Sequence, residues 1–364
     1  MIGGLARALD NLLGRGEAAV TVPPLDGALR PNRLLDEAAS RFPLAGVDSL
    51  AVAGGQLVAA AGRSLRVLDE AGGWRKRSDH PAEIADIAAI GPDGLAIALA
   101  DGGVIVEGGR FDGRRYGIAG KLGCITALTV SGTRLYVANG SSTNAATDWQ
   151  RDLLERNASG SVWRIDLDSG EGVQVASRLA WPAGLAARDG ALVVSEAWKH
   201  RLVKIDPAAP GKSQPIHTDL PAYPGRIARG AGGYWLAMFA PRSQLVEFVL
   251  REPAYRKRMM AEVPQPYWLS PKLRSGRSFY EPLQGGGVKH LGMLKPWAPT
   301  MSAGLCVKLD EAFQPRASLQ SRADGHTHGV TSAAEHGGKV YIAARGDGAV
   351  VSLPLAATAE GDAA

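Results

Sequence analysis

Gly184-Leu185-Ala186, Asp189-Gly190, Leu192-Val193-Val194-Ser195 and Leu202-Val203-Lys204-Ile205-Asp206 follow one another within 23 residues. Short runs of Leu, Val and Ile separated by turn residues read as β-strands, and Asp-Gly between two of them reads as a tight hairpin turn. The runs are too short for buried helices. The same unit recurs upstream as Asp48–Val52 to Leu68-Asp69, as Ile87–Ile90 with Pro92-Asp93-Gly94 through Val104–Val106, and as Ile125–Leu128 through Leu135–Ala138 to Val162–Asp166. Downstream it appears as Arg226–Ala228 with Tyr234–Ala237, resumed at Leu305–Asp310, and as Gly329–Ser332 with Val340–Ala343 and Val350–Leu353. Six units spaced by roughly 40 residues, once insertions are set aside, match the blade length of a propeller. The expectation is an all-β, six-bladed β-propeller over residues 31–355, with 1–30 as a lead-in and 356–364 as a tail; a solenoid of strands is the alternative.

Composition agrees. Of 364 residues, 45% are apolar and 21% charged, enough for a sizeable core, and 46 glycines suit many tight turns. The apolar runs fall short of the roughly 20 residues needed to cross a bilayer. Met1–Gly16 lacks a basic start and a cleavage site, so a cytoplasmic location is expected. Ile2, Leu5, Leu9, Leu12 and Leu13 share one helical face, predicting a short N-terminal helix that packs on the protein or docks peripherally on a membrane. Cys124 and Cys306 sit in apolar runs and read as buried thiols.

Two stretches break the pattern. Thr147–Arg156 has helical spacing, with Trp149, Leu153 and Leu154 on one side. The fifth unit is interrupted over 243–303 by a helix through Val246, Val249 and Leu250, a basic turn after Pro253, and a loop whose Trp268, Phe279, Tyr280 and Trp297 favour a packed lid. The net charge is +5, yet Arg242–Lys295 alone holds ten basic residues against four glutamates. A charge confined to one segment argues against nucleic-acid binding and for a local basic patch, either a solvated face or a contact for a partner.

Asp148-Trp149-Gln150-Arg151-Asp152-Leu153-Leu154, Ser195-Glu196-Ala197-Trp198-Lys199-His200-Arg201, Leu220-Pro221-Ala222-Tyr223-Pro224 and Gly233-Tyr234-Trp235 resemble the strictosidine-synthase-like propellers. Paraoxonases and gluconolactonases are more distant relatives of that family. The resemblance runs from about Pro31 to Leu355 and implies six four-stranded blades around a tunnel, with the substrate site at one end. In metal-dependent relatives that end holds a divalent cation on a glutamate, two asparagines and an aspartate. Here the corresponding words read Asp48, the stretch Cys124-Ile125-Thr126, Ala183-Gly184 and Gly225-Arg226. A hard cation needs more oxygens than this, so no cofactor and no metal are expected. Arg226 reads either as a partner of Asp48 across the tunnel or as an anion-binding group.

The family's condensing glutamate, placed before the turn that reads Glu335-His336-Gly337-Gly338, falls here on Thr331. A hydroxyl is too weak a base for that role, so true strictosidine synthesis is not expected. Asp324-Gly325-His326-Thr327-His328 stands out instead: in a strand both imidazoles would share a face, with Asp324 orienting one. His326, His328 and Asp324 are therefore the catalytic candidates, the alternative being a hydrogen-bonded turn. Asp48, Arg226, Thr331, His290 and Asn139 are the candidate ligand contacts. Glu196 and Arg201 read as a tie between strands. Two functions follow: a hydrolase of a small lactone or ester that uses the histidines, or a binding propeller for an anionic ligand or partner.

Overall fold

The computed structural model describes residues 22–118, 120–209, 211–278, 280–282, 289–290, 293–294 and 301–358. Six four-stranded antiparallel sheets stand around an axis. Their inner strands are Val47–Ala53, Ile84–Ile90, Ile125–Ser131, Pro182–Arg188, Ala222–Gly230 and Val330–His336. Each packs on the next and the last returns to the first, so the expected six-bladed propeller is the fold.

Strand periodicity explains the packing. Successive side chains point to opposite faces, and every sheet is covered on both faces by its neighbours. In blade 4, Leu192 and Val194 enter the apolar cluster shared with blade 3, while Val193 between them enters the one shared with blade 5. One such cluster lies between each adjacent pair of blades. Continuous apolar runs, not alternating ones, are what two-sided burial requires. The turn before Leu192 puts Asp189 at φ 49° and Gly190 at φ 76°, the left-handed pair of a two-residue hairpin.

Ring closure is made by the start of the chain. Ser40–Pro43 pairs with Ala349–Pro354 and forms the outer strand of blade 6. Phe42 lies opposite Val350 and 6.2 Å from the Tyr341 ring. Leu35, fully buried, plugs the cluster between blades 5 and 6.

The helix Trp149–Leu154 and the helices Gln244–Val249 and Pro253–Glu262 occupy the two predicted interruptions. They gather with Trp181, Tyr223, Phe239 and Trp268 into one cluster over the end of the propeller where the inner strands begin, here the upper end. The insertion is strapped down at both sides. Gln150 donates to Ser270 Oγ (2.9 Å) and to the Pro271 carbonyl (2.8 Å), and Arg256 donates to the Leu154 carbonyl at the end of its helix. Toward blade 6 the Leu273 carbonyl lies where a Cβ on Gly346 would be, 2.2 Å away, so that position must be glycine for the strap to seat.

Part of the basic charge of this segment is turned inward. Arg242 pairs with Asp219 and Glu247, Arg274 and Arg277 both reach Asp347, and Lys272 donates to the Pro266 carbonyl. Arg251, Lys257, Arg258 and Arg277 remain exposed, Arg258 against Glu262. The predicted N-terminal helix, Phe279 and Trp297 lie outside the described residues. Trp268 is buried as a packed lid requires, whereas Tyr280 is exposed. No helix among the described residues is long and apolar enough to cross a membrane.

Candidate functional site

Every inner strand carries an irregularity near its upper end, where the register skips. The skipped positions are Asp48, Ala85, Thr126, Ala183, the pair Gly225-Arg226 and Thr331. Bulges re-aim side chains next to binding sites, and here they build a ring around the axis from one acid, one base, two hydroxyls and two methyls.

Arg226 fills the centre of that ring. Its Nη1 donates to Asp48 Oδ1, to the Asp48 carbonyl and to the Thr331 carbonyl, each at 3.2 Å. Its Nη2 donates to Asp48 Oδ2 (3.3 Å) and to the Ala85 carbonyl (2.5 Å), and its Nε lies 2.7 Å from Asp86 Oδ1. Blades 1, 2 and 6 are thus tied to blade 5 through one planar cation, a role suited to the fixed fork of arginine. Asp86 also accepts from Ser49 Oγ and the Leu128 amide, both at 2.6 Å. Below this plug a cavity of about 300 Å³ follows the axis toward Arg229 and Glu335.

Electrostatics follow from the geometry. Burial pushes the Asp48 carboxyl up, but the Arg226 and Arg345 guanidiniums and the hydrogen bonds outweigh it and hold it at about 2. Burial raises Asp86 despite Arg226. Burial alone would lower Arg226, yet Asp48 and Asp86 together raise it, so it stays charged. A family-type divalent cation does not fit: the guanidinium occupies the oxygens that would hold it, and Ala183 and Thr126 stand where further ligands are needed. Among the described residues no three His, Cys, Asp or Glu side chains form a metal-holding group. Between the two readings of Arg226, its geometry is that of the partner of Asp48.

The histidines diverge. Residues 322–329 form a turn rather than a strand, so the expected shared face is absent. His326 is 62% exposed at its side chain and lies 3.5 Å from Asp36. His328 is fully buried under the strap. Its Nε2 donates to the Arg322 carbonyl (2.8 Å), and its Nδ1 accepts from Ser302 Oγ and Arg274 Nη1, each at 2.9 Å. Burial, then Arg274, lowers its pKa, consistent with the neutral ring this pattern requires. Asp324 is exposed and bonds to neither ring; Asp36 and Asp347 hold the turn instead. The turn is a clamp between blade 6 and the strap.

The other predicted residues separate as well. Thr331 stands on the ring, its hydroxyl donating to the Asp48 carbonyl (2.7 Å). Asn139 is buried between the Cys124 amide (2.8 Å) and the Ser141 carbonyl (2.7 Å), ordering a loop beside the ring. His290 belongs to a small hairpin with Met293, and its side chain lies outside the described residues. Glu196 ties strands as expected, accepting from Arg201 and the Ala180 amide and facing Lys199 at 3.2 Å. Burial pushes the Cys124 thiol up to about 12, which makes it a poor nucleophile.

Two ring neighbours escaped the sequence reading. Asp86 is a lone carboxylate in the apolar run Ile84–Ile90, a signal that could have marked it. Arg345 follows the second strand of blade 6, as Gly140 follows that of blade 3; it bonds Asp48 Oδ2 (2.9 Å) while 48% exposed. Opposite it, over blades 3 to 5, Trp198 stacks between Trp149 (6.3 Å) and Trp181 (5.1 Å), with Phe239 edge-on to Trp149 and Trp198. Trp198 Nε1 donates to buried Asp152 (2.7 Å), which explains why the two sequence words carry those residues.

No family model matches the chain, and no curated protein matches it in sequence. Solved structures do. A gluconolactonase from Xanthomonas campestris is 13% identical, with 92% of this chain and 95% of that one covered at a TM-score of 0.54. The calcium-binding protein regucalcin from Agrobacterium tumefaciens is 14% identical, with 88% and 86% covered at a TM-score of 0.50. The structural neighbours of this propeller include proteins of the gluconolactonase and regucalcin type.

Proposed function

We propose that this chain is a strictosidine-synthase-like propeller that binds a small anionic metabolite at its upper mouth, without the family's metal and without its condensing glutamate. The observation that carries the reading is the Arg226 plug, which puts a cation tethered to Asp48, Asp86 and three carbonyls where a catalytic ion would sit. The groups left for a ligand are Arg345, half-exposed and bonded through Nη1 alone among the described residues, and the partly exposed faces of Trp149 and Trp198. A cation facing an aromatic wall suits a small carboxylate with an apolar body. No described group at the ring is poised as a base: Asp48 is held too acidic, and both nitrogens of His328 are occupied.

Hydrolysis of a lactone or ester is the second reading, supported by the fold shared with the gluconolactonase along nearly the whole chain. It requires a base other than His326 or His328, and His290 is the candidate. A screen of lactones and aryl esters with and without chelator, run beside calorimetric titration of aromatic carboxylates, separates the two. Saturable binding without turnover, weakened in Arg345→Ala, supports the binding reading. Chelator-insensitive turnover lost in His290→Gln replaces it with the hydrolase.

A further inference from the structure

A cavity of about 840 Å³ opens off the axis, at the upper rim between blades 2 and 3. That volume lies within the roughly 300–1,000 Å³ of ligand pockets. Its walls are the turn 101–103 of blade 2, residues 117–118 and 120–123 between the blades, the loop 139–145, and Ser159, Ser161, Trp163 and Gln174 of blade 3.

The walls are built rather than loose. Ser141 Oγ accepts from the Thr143 amide (3.2 Å), the Asn144 amide (3.0 Å) and Asn157 Nδ2 (3.0 Å), while buried Asn139 anchors the same loop from behind. Gly102 sits at φ 93° with the Leu122 carbonyl 2.1 Å from where its Cβ would be, so two walls meet backbone to backbone. Trp163 Nε1 donates to Ser161 Oγ (3.0 Å), which pins the indole at the cleft. Three polar groups on the lining have no hydrogen-bond partner among the described residues: the Ser142 hydroxyl, the Gln174 carboxamide and the Lys121 ammonium.

The chemistry of this lining is specific in kind. Hydroxyls, amides and backbone groups of glycines both donate and accept; the lining holds one carboxylate, Asp101, against one ammonium, Lys121, and no guanidinium. That balance gives no preference for phosphates, and a lining as polar as it is apolar offers no continuous greasy wall for a lipid tail. A pinned indole beside neutral donors and acceptors fits a ligand with alternating hydroxyls and C–H faces. We propose that the cleft between blades 2 and 3 binds a neutral saccharide, with the sugar ring against Trp163 and its hydroxyls on Ser142 and Gln174.

Saturation-transfer NMR and calorimetry on the full chain, with glucose, maltose, cellobiose and N-acetylglucosamine as probes up to about 10 mM, cover affinities down to the millimolar range. The expected result is saturable binding of at least one probe, weakened about tenfold in the Ser142→Ala/Gln174→Ala double variant through loss of two neutral hydrogen bonds. Both positions are exposed, so the fold is retained; Trp163→Phe, which keeps an aromatic face, weakens binding less than the double variant does. Failure of all four probes overturns the proposal, as does binding that the cleft variants leave unchanged. Binding lost in Arg345→Ala but kept in the double variant places the sugar at the axial mouth and also overturns it. Sugar binding at the cleft alone leaves the reading of the axial site untouched.

Discussion

Replacing Arg226 by leucine removes the cation from two carboxylates that stay buried. The guanidinium touches Asp48 and Asp86 and three carbonyls, and the side chains of Arg226, Asp48 and Asp86 are only 14%, 15% and 4% exposed. Breaking a buried pair from one side costs about 3–5 kcal/mol, because the remaining charge is left uncompensated. With about 2.1 cal/mol/K of unfolding entropy per residue and roughly 300 residues in the ring, the midpoint falls by roughly 5–8 °C. The sign with pH is the telling part. In the native protein Asp48 is depressed to about 2, so its contribution is present above the ordinary value of 3.8 and lost as pH falls through about 2. In Arg226→Leu Asp86 is buried without a cation and Asp48 keeps only the half-exposed Arg345; both pKa values rise, and stability is regained as pH falls through them. Thermal and urea unfolding at pH 7 and pH 5 check this: the deficit is expected to be large at pH 7 and smaller at pH 5. A deficit below about 1 kcal/mol at pH 7, the range of an exposed pair, or one that does not change with pH, refutes the account of Arg226 as the resident cation.

His328→Gln is expected to cost about 1–3 kcal/mol, since it leaves buried donors or acceptors of Ser302, Arg274 and Arg322 without a partner; His326→Gln, at an exposed ring, is expected to change unfolding by well under 1 kcal/mol. Because burial holds His328 below 6.5, its protonation opposes folding, so native stability should decline as pH falls below 6.5, and this slope should be missing in His328→Gln. Removal of residues 1–43 deletes the outer strand of blade 6 and exposes the edge Ala349–Pro354; concentration-dependent association in sedimentation and a lowered midpoint are the expected outcomes. Trp198→Phe keeps the stacked cluster but leaves buried Asp152 short of a donor, with an expected loss of about 1–3 kcal/mol and a changed near-ultraviolet circular dichroism.

The repeat of short apolar runs with Asp-Gly turns determined the propeller, because two-sided burial of every strand leaves a signature in each unit, as Leu192, Val193 and Val194 show. The interruptions at Thr147–Arg156 and after Ser243 were legible for the same reason: helical spacing differs from strand spacing. The pairing of Arg226 with Asp48 could be named as a candidate from sequence, since an arginine stood where a neutral ligand was expected, but its second acidic partner Asp86 and the three carbonyls belong to other blades and meet it only when the ring closes. The histidines show the converse. His326 and His328 are two apart, which in a strand implies one shared face; the contacts of Asp36, Arg274, Ser302 and Asp347 fold that stretch into a turn, and local spacing then says nothing about where the rings point. Ring closure by Ser40–Pro43 and the saccharide-sized cleft between blades 2 and 3 were likewise decided by tertiary structure alone, because both join segments whose proximity depends on the number of blades and the angle between them rather than on any residue near them in sequence.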